Sequence, residues 1–175
     1  MKILFVGPPG AGKSTAIRAV SDYPPISTEV PSSDEKRMTT VAMDVGEIEL
    51  GADEPVRLYG IPGQDRFDFL WPMVSEGAMG ALFLIDASHP NQFDALNDYL
   101  DNFSSLVAAV PCLVVITRSD IAPTAPRAHA VVEHLASRGL NLAVIEADMR
   151  DKRDVLYLLG LLRTLIETTP ESPKP

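Results

Sequence analysis

The sequence predicts an α/β domain, a three-layer sandwich with a six-stranded, mostly parallel sheet, one antiparallel edge hairpin and five flanking helices. Three observations lead there. Short apolar runs alternate with longer segments of helical period, the pattern of a parallel sheet covered on both faces. Four runs, Ile3–Val6, Leu82–Ile85, Leu113–Ile116 and Leu142–Ile145, are nearly continuous in apolar residues, as strands buried on both sides are. The first of them leads directly into a glycine-rich turn and then a helical segment.

The other elements follow in order. Thr40–Leu50 and Val56–Tyr59 alternate more and are separated by Gly51-Ala52-Asp53-Glu54, which predicts a hairpin near one edge. Helical period marks Lys13–Val20, Arg66–Val74, Asn91–Ala109, Pro126–Arg138 and Lys152–Glu167. The last begins after Asp151, a good N-cap, and sets Val155, Leu158, Leu159, Leu162 and Ile166 on one stripe. Asp22–Met38 holds three prolines, four serines or threonines and several charges, which predicts a long loop. A loop of that length in a compact domain is usually functional or mobile. Residues 1–168 read as one domain and 169–175 as a disordered tail.

Composition narrows the function. The chain of 175 residues is long enough to bury about 70% of the surface its unfolded form exposes. With 46% hydrophobic and 22% charged residues it has the make-up of a packed globular protein. Fifteen Lys and Arg against 24 Asp and Glu give a net charge of −9, so a general nucleic-acid surface is not expected. A single bound nucleotide is compatible with that charge, because a nest of backbone NH groups and one lysine outweigh a distant negative surface. The single cysteine, Cys112, excludes an internal disulfide and a cysteine-based zinc cluster, and its place beside Leu113-Val114-Val115-Ile116 reads as a small buried hydrophobe. Four apolar residues before Gly7 are too few for a signal-peptide core. The longest uncharged stretch, Asn102–Thr117, has 16 residues broken by Pro111, short of the ~20 of a spanning helix. A cytoplasmic protein with no integral membrane segment and no lipid anchor is expected.

Gly7-Pro8-Pro9-Gly10-Ala11-Gly12-Lys13-Ser14 fits G-x-x-x-x-G-K-[ST] in the strand-then-helix setting that this phosphate-binding loop requires. Its glycines let the chain curl so that successive NH groups point at phosphate oxygens beside the positive end of a helix. Pro8 and Pro9 have no NH, so the donors fall to Gly10, Ala11, Gly12, Lys13, Ser14 and Thr15, with Gly7 opening the turn. Lys13 reaches the β and γ phosphates and the Ser14 hydroxyl ligates Mg²⁺. A nucleoside triphosphate is the expected ligand; the loop alone does not choose the base.

The remaining landmarks resemble those of the Ras-like small GTPases from about Lys2 to Glu167. Arg37-Met38-Thr39-Thr40 is similar to the first switch segment, and the resemblance implies that Thr40 joins Ser14 on Mg²⁺. Tyr59-Gly60-Ile61-Pro62-Gly63-Gln64 resembles the second switch segment, usually D-x-x-G-Q; it implies that the Gly63 NH senses the γ-phosphate and that Gln64 orients the attacking water. Gly60 stands where the family has an aspartate, and with Pro62 this resembles the bacterial MglA-like branch. Weaker metal retention is expected, and Asp86, at the end of Leu82-Phe83-Leu84-Ile85, is a rival metal partner. Thr117-Arg118-Ser119-Asp120 resembles N-K-x-D, which implies that Asp120 reads guanine, that Arg118 lies on the base face and that Thr117 is a poorer substitute for asparagine. Ala147-Asp148-Met149-Arg150 resembles the loop whose backbone NH contacts guanine O6, here from Met149 with Asp148 as brace. Arg37 lies three residues before Thr40, the offset of the catalytic arginine in heterotrimeric G-protein α subunits, with Arg66 a lesser candidate.

The resemblance implies a GTP/GDP switch with slow Mg²⁺-dependent hydrolysis, a Roadblock-type regulatory partner and effectors that read the switch segments. Two other readings stay open: a P-loop small-molecule kinase or ATPase, and a nucleotide-holding module without turnover. A kinase needs an arginine-rich lid, which the sequence between Asn91 and Pro126 lacks.

Overall fold

A computed structural model describes residues 1–30, 41–51, 54–62, 70–122 and 127–169. Seven strands among these residues form one sheet: β1 (Lys2–Val6), β2 (Ile26–Val30), β3 (Val41–Ile48), β4 (Val56–Gly60), β5 (Gly80–Asp86), β6 (Cys112–Thr117) and β7 (Ala143–Glu146), in the spatial order β2-β3-β4-β1-β5-β6-β7. β4-β1-β5-β6-β7 are mutually parallel, whereas β2 and β3, and β3 and β4, pair antiparallel. The predicted P-loop α/β class and its antiparallel hairpin are present, and the edge carries one strand more than the six predicted.

That extra strand, β2, lies inside the segment predicted as loop. Prolines at 24 and 25 mask the signal, yet they only precede the ladder and cost it no hydrogen bond. From Ile26 opposite Val45 to Val30 opposite Val41, the backbone of β2 completes the open side of β3. At the other edge β7 is partly exposed rather than buried on both faces, because among the described residues it has a strand on one side only.

Among the described residues six helices cover the sheet: α1 (Lys13–Val20), α2 (Trp71–Ser75), α3 (Gln92–Asn102), α4 (Ser104–Ala109), α5 (Ala128–Ser137) and α6 (Lys152–Thr168). The sixth arises because the helix predicted over 91–109 breaks at Phe103. The Phe103 ring stacks on Trp71 at 5.0 Å between centroids and meets Phe83 edge-on at 6.2 Å. Bending there keeps Leu96 and Leu100 of α3 and Leu106 of α4 on one apolar cluster. Of the helix predicted over 66–74, residues 66–69 lie outside the described residues and α2 begins at Trp71. The tail beyond 169 also lies outside them.

Alternation along β1 divides the core. Leu4 and Val6 face the cluster under α2 to α5, while Ile3 and Phe5 face the cluster under α1 and α6. Val155, Leu158, Leu159 and Leu162 are fully buried along α6, as the stripe predicts, and Asp151 caps the helix by accepting from the Arg153 NH at 2.8 Å. Cys112 is buried, donates to the Val110 carbonyl at 3.3 Å, and has its thiol pKa pushed up to about 12 by burial, so it packs as the expected small hydrophobe. No helix among the described residues is long and apolar enough to cross a membrane.

Candidate functional site

The carboxyl ends of β1, β5 and β6 and the loop after β7 converge on one side of the sheet, the position where open α/β sheets bind ligands. β1 is central, and residues 7–12 turn the chain from it into α1. Two glycines are required by contact. A Cβ on Gly7 (φ 147°) would lie 2.4 Å from the Leu84 carbonyl oxygen, and one on Gly12 (φ 103°) 2.9 Å from Met149 Cγ. The second contact joins the phosphate loop to the loop after β7.

Lys13 is buried and its ammonium donates to the Gly7 and Pro8 carbonyls at 2.6 and 2.7 Å. Burial lowers its pKa to about 8, and the Asp44 carboxylate partly opposes that shift. Such a lysine is held over the loop and gains solvation when an anionic phosphate arrives. The NH groups of Lys13, Ser14 and Thr15 belong to the first turn of α1, which leaves them without intrahelical partners. Ala11 differs from the expectation: its NH donates to the Pro8 carbonyl at 3.2 Å and closes the turn, although the residue still lines the cleft.

That cleft has a volume of about 400 Å³ and runs from Ala11, Gly12 and Thr15 to Thr117, Arg118, Asp120, Asp148 and Met149. Eight residues predicted separately for phosphate and base thus meet in one cavity of nucleotide-compatible size. Thr117 is buried and its hydroxyl donates to the Ile85 carbonyl at 3.2 Å, tying β6 to β5, while the residue also lines the cleft. Arg118, at φ 59° the sole non-glycine with positive φ among the described residues, sends its guanidinium to Asp86 at 2.9 Å. Its head is therefore anchored, and its stem remains to line the cleft. Asp86 accepts in addition from the Ser88 NH at 2.9 Å and hydroxyl at 2.5 Å. Those bonds hold the carboxylate between Arg118 and the turn after β5.

Two contacts at the site were not apparent from sequence. Arg150 bonds both oxygens of Asp148, at 2.7–3.1 Å, and donates to Asp120 Oδ2 at 2.8 Å. Its bonds hold Asp148 below the usual carboxylate range, and Arg150 links the two aspartates that the sequence predicts at the base. A basic residue two positions after Asp148 was the available signal. The other is Asp44 on β3, whose Oδ2 accepts from the Ser14 hydroxyl. The Ser14 hydroxyl is a hard oxygen donor of the kind that suits Mg²⁺, which keeps several of its ligands from water and phosphate, and Asp44 stands behind it as acceptor. Arg37, Thr40, Gly63, Gln64 and Arg66 lie outside the described residues.

Comparison with known proteins gives the same coarse reading. The family described as "Conserved hypothetical ATP binding protein" matches residues 27–172, a span that starts after the phosphate loop. Among similar proteins are GTPase Obg of Acidithiobacillus ferrooxidans, 34% identical over 138 residues, covering 68% of this chain and 34% of that protein. Ras-related protein Rab-18 of Caenorhabditis elegans is 29% identical over 101 residues, 57% of this chain and 47% of that protein. Intraflagellar transport protein 22 of Chlamydomonas reinhardtii is 29% identical over 107 residues, 59% of this chain and 53% of that protein. The chain spans about a third to about a half of the length of these relatives. Resemblance to Ras-like and Obg-type GTPases at low identity, together with the family's description, supports a nucleotide-binding protein of the P-loop class. Matched over well more than half of its length, the chain belongs to the family described as conserved hypothetical ATP binding proteins.

Proposed function

We propose that this chain is a guanine-nucleotide switch of the MglA-like kind that hydrolyses GTP slowly. The observation that carries the reading is the single cleft joining the phosphate loop to the Asp120 carboxylate. A carboxylate there accepts from both N1–H and the exocyclic amine of guanine, whereas adenine presents an acceptor at N1. A buried polar mismatch of that type rejects the wrong base by roughly 10⁴-fold. Arg118 supplies an apolar stem beside the base and the Met149 NH a donor for guanine O6. The Gly10, Gly12, Lys13, Ser14 and Thr15 amides and the Lys13 ammonium hold the phosphates.

Ser14 and Thr40 would hold Mg²⁺, which neutralises charge on the β and γ phosphates when bound. Gln64 orients the attacking water, the Gly63 NH contacts the γ-phosphate, and Arg37 serves as an arginine in cis. The two switch segments present GTP-dependent surfaces to effectors and to a Roadblock-type activator, in the cytoplasm, from one domain over 1–168. The family's description favours a second reading, an ATPase or small-molecule kinase.

Phosphate release from GTP and ATP, measured in Mg²⁺ with purified chain, separates the readings. Slow GTP turnover on the order of 10⁻⁴ to 10⁻² per second, with ATP untouched, is expected. Equal ATP consumption or acceptor-dependent transfer would establish the second reading, and GTP bound but never cleaved would mark a holding module.

A further inference from the structure

Gly60 removes the acidic side chain that the resemblance expects on β4, and the structure supplies a carboxylate from the neighbouring strand. Asp44 of β3 lies directly opposite Gly60 in the antiparallel ladder. A Cβ built on Gly60 would sit 3.4 Å from Asp44 Cβ and 3.6 Å from its Oδ2, so the Asp44 side chain borders the space into which a residue at 60 would project. Its Oδ2 accepts from the hydroxyl of Ser14, in the first turn of α1. That contact sets the Asp44 carboxylate beside the N-terminal turn of α1, the turn that follows the phosphate loop.

A serine hydroxyl can ligate a cation only with its proton turned elsewhere, and an acceptor behind it fixes that orientation. Mg²⁺ holds a ligand oxygen at about 2.1 Å, so a carboxylate oxygen hydrogen-bonded to that ligand stands roughly 4–5 Å from the ion. That is beyond direct coordination and within reach of a water on the ion. Resting on the nucleotide reading above, we propose that Asp44 is the metal-positioning carboxylate of this site, relocated from β4 to β3. It takes the Ser14 proton in a hydrogen bond, frees the hydroxyl lone pairs for the ion, and accepts from an ion-bound water.

The test measures release of a fluorescent GDP analogue from the parent chain and from Asp44→Asn, in excess Mg²⁺ and in EDTA, together with Mn²⁺ titration of the GDP complex by electron paramagnetic resonance. The expected result is equal release from both proteins in EDTA, loss in Asp44→Asn of the slowing by Mg²⁺, and a Mn²⁺ affinity about 10- to 100-fold weaker. Parent-like slowing and Mn²⁺ affinity in Asp44→Asn would overturn the proposal and leave Asp44 as a pin between β3 and α1. If Asp44→Asn does not fold, Asp44→Ala combined with Gly60→Asp carries the test: metal-dependent slowing retained by that pair supports the proposal, and its loss overturns it. A parent chain that binds neither GDP nor ADP would overturn the nucleotide reading itself, a result distinct from any change at Asp44.

Discussion

Asp120→Asn is expected to invert the choice of base. On the proposed guanine reading the carboxylate accepts from two guanine donors, and an amide of the same shape keeps one acceptor while turning a donor toward the exocyclic amine. Each hydrogen bond to a charged group is worth about 1.5–3 kcal/mol, so GDP affinity should fall on the order of 10²- to 10⁴-fold. Xanthosine diphosphate, whose C2 carbonyl accepts from the new amide, should gain affinity over the same range. Calorimetric titration of both nucleotides into both proteins reads the exchange. An unchanged GDP affinity in the variant would instead leave Asp120 as an anchor for Arg150, to which it is bonded at 2.8 Å.

Lys13→Ala has the second largest expected effect, a loss of nucleotide affinity of roughly 10²- to 10³-fold, as for truncating one partner of a desolvated charge pair. Its pH signature is specific. In the nucleotide-free chain burial lowers the lysine pKa to about 8, and bound phosphates raise it, so the complex binds more protons than the free chain. Affinity is therefore full below pH 8 and falls above it, by at most about tenfold per pH unit, until the pKa of the complex is passed. Titrations from pH 7 to 9 should show that slope in the parent and not in Lys13→Ala, the difference removing any contribution from the base. Identical slopes would place Lys13 away from the phosphates.

What the sequence made legible was local. β1, β5 and β6 announce themselves because central parallel strands are apolar on both faces, and the phosphate loop because its glycines, lysine and serine are contiguous. The residues expected at the base were picked out by their order along the chain, and the cleft brings Thr117, Arg118, Asp120, Asp148 and Met149 together. Features that depend on pairing between distant segments were hidden. Asp44 gains meaning only from the register that sets it against Gly60 and Ser14, and β2 only from the open edge of β3. The break at Phe103 depends on Trp71 and Phe83, residues far away in sequence. Arg150 reads as one more surface charge until the turn after β7 sets it between Asp120 and Asp148.

The most direct measurement is calorimetric titration of nucleotide-free chain with GDP and with ADP, each with and without Mg²⁺. Tight GDP binding, tightened further by Mg²⁺, with ADP undetectable is the expected result. Equal affinity for the two, or a preference for ADP, would contradict base reading by Asp120 and assign the cleft to an adenine nucleotide.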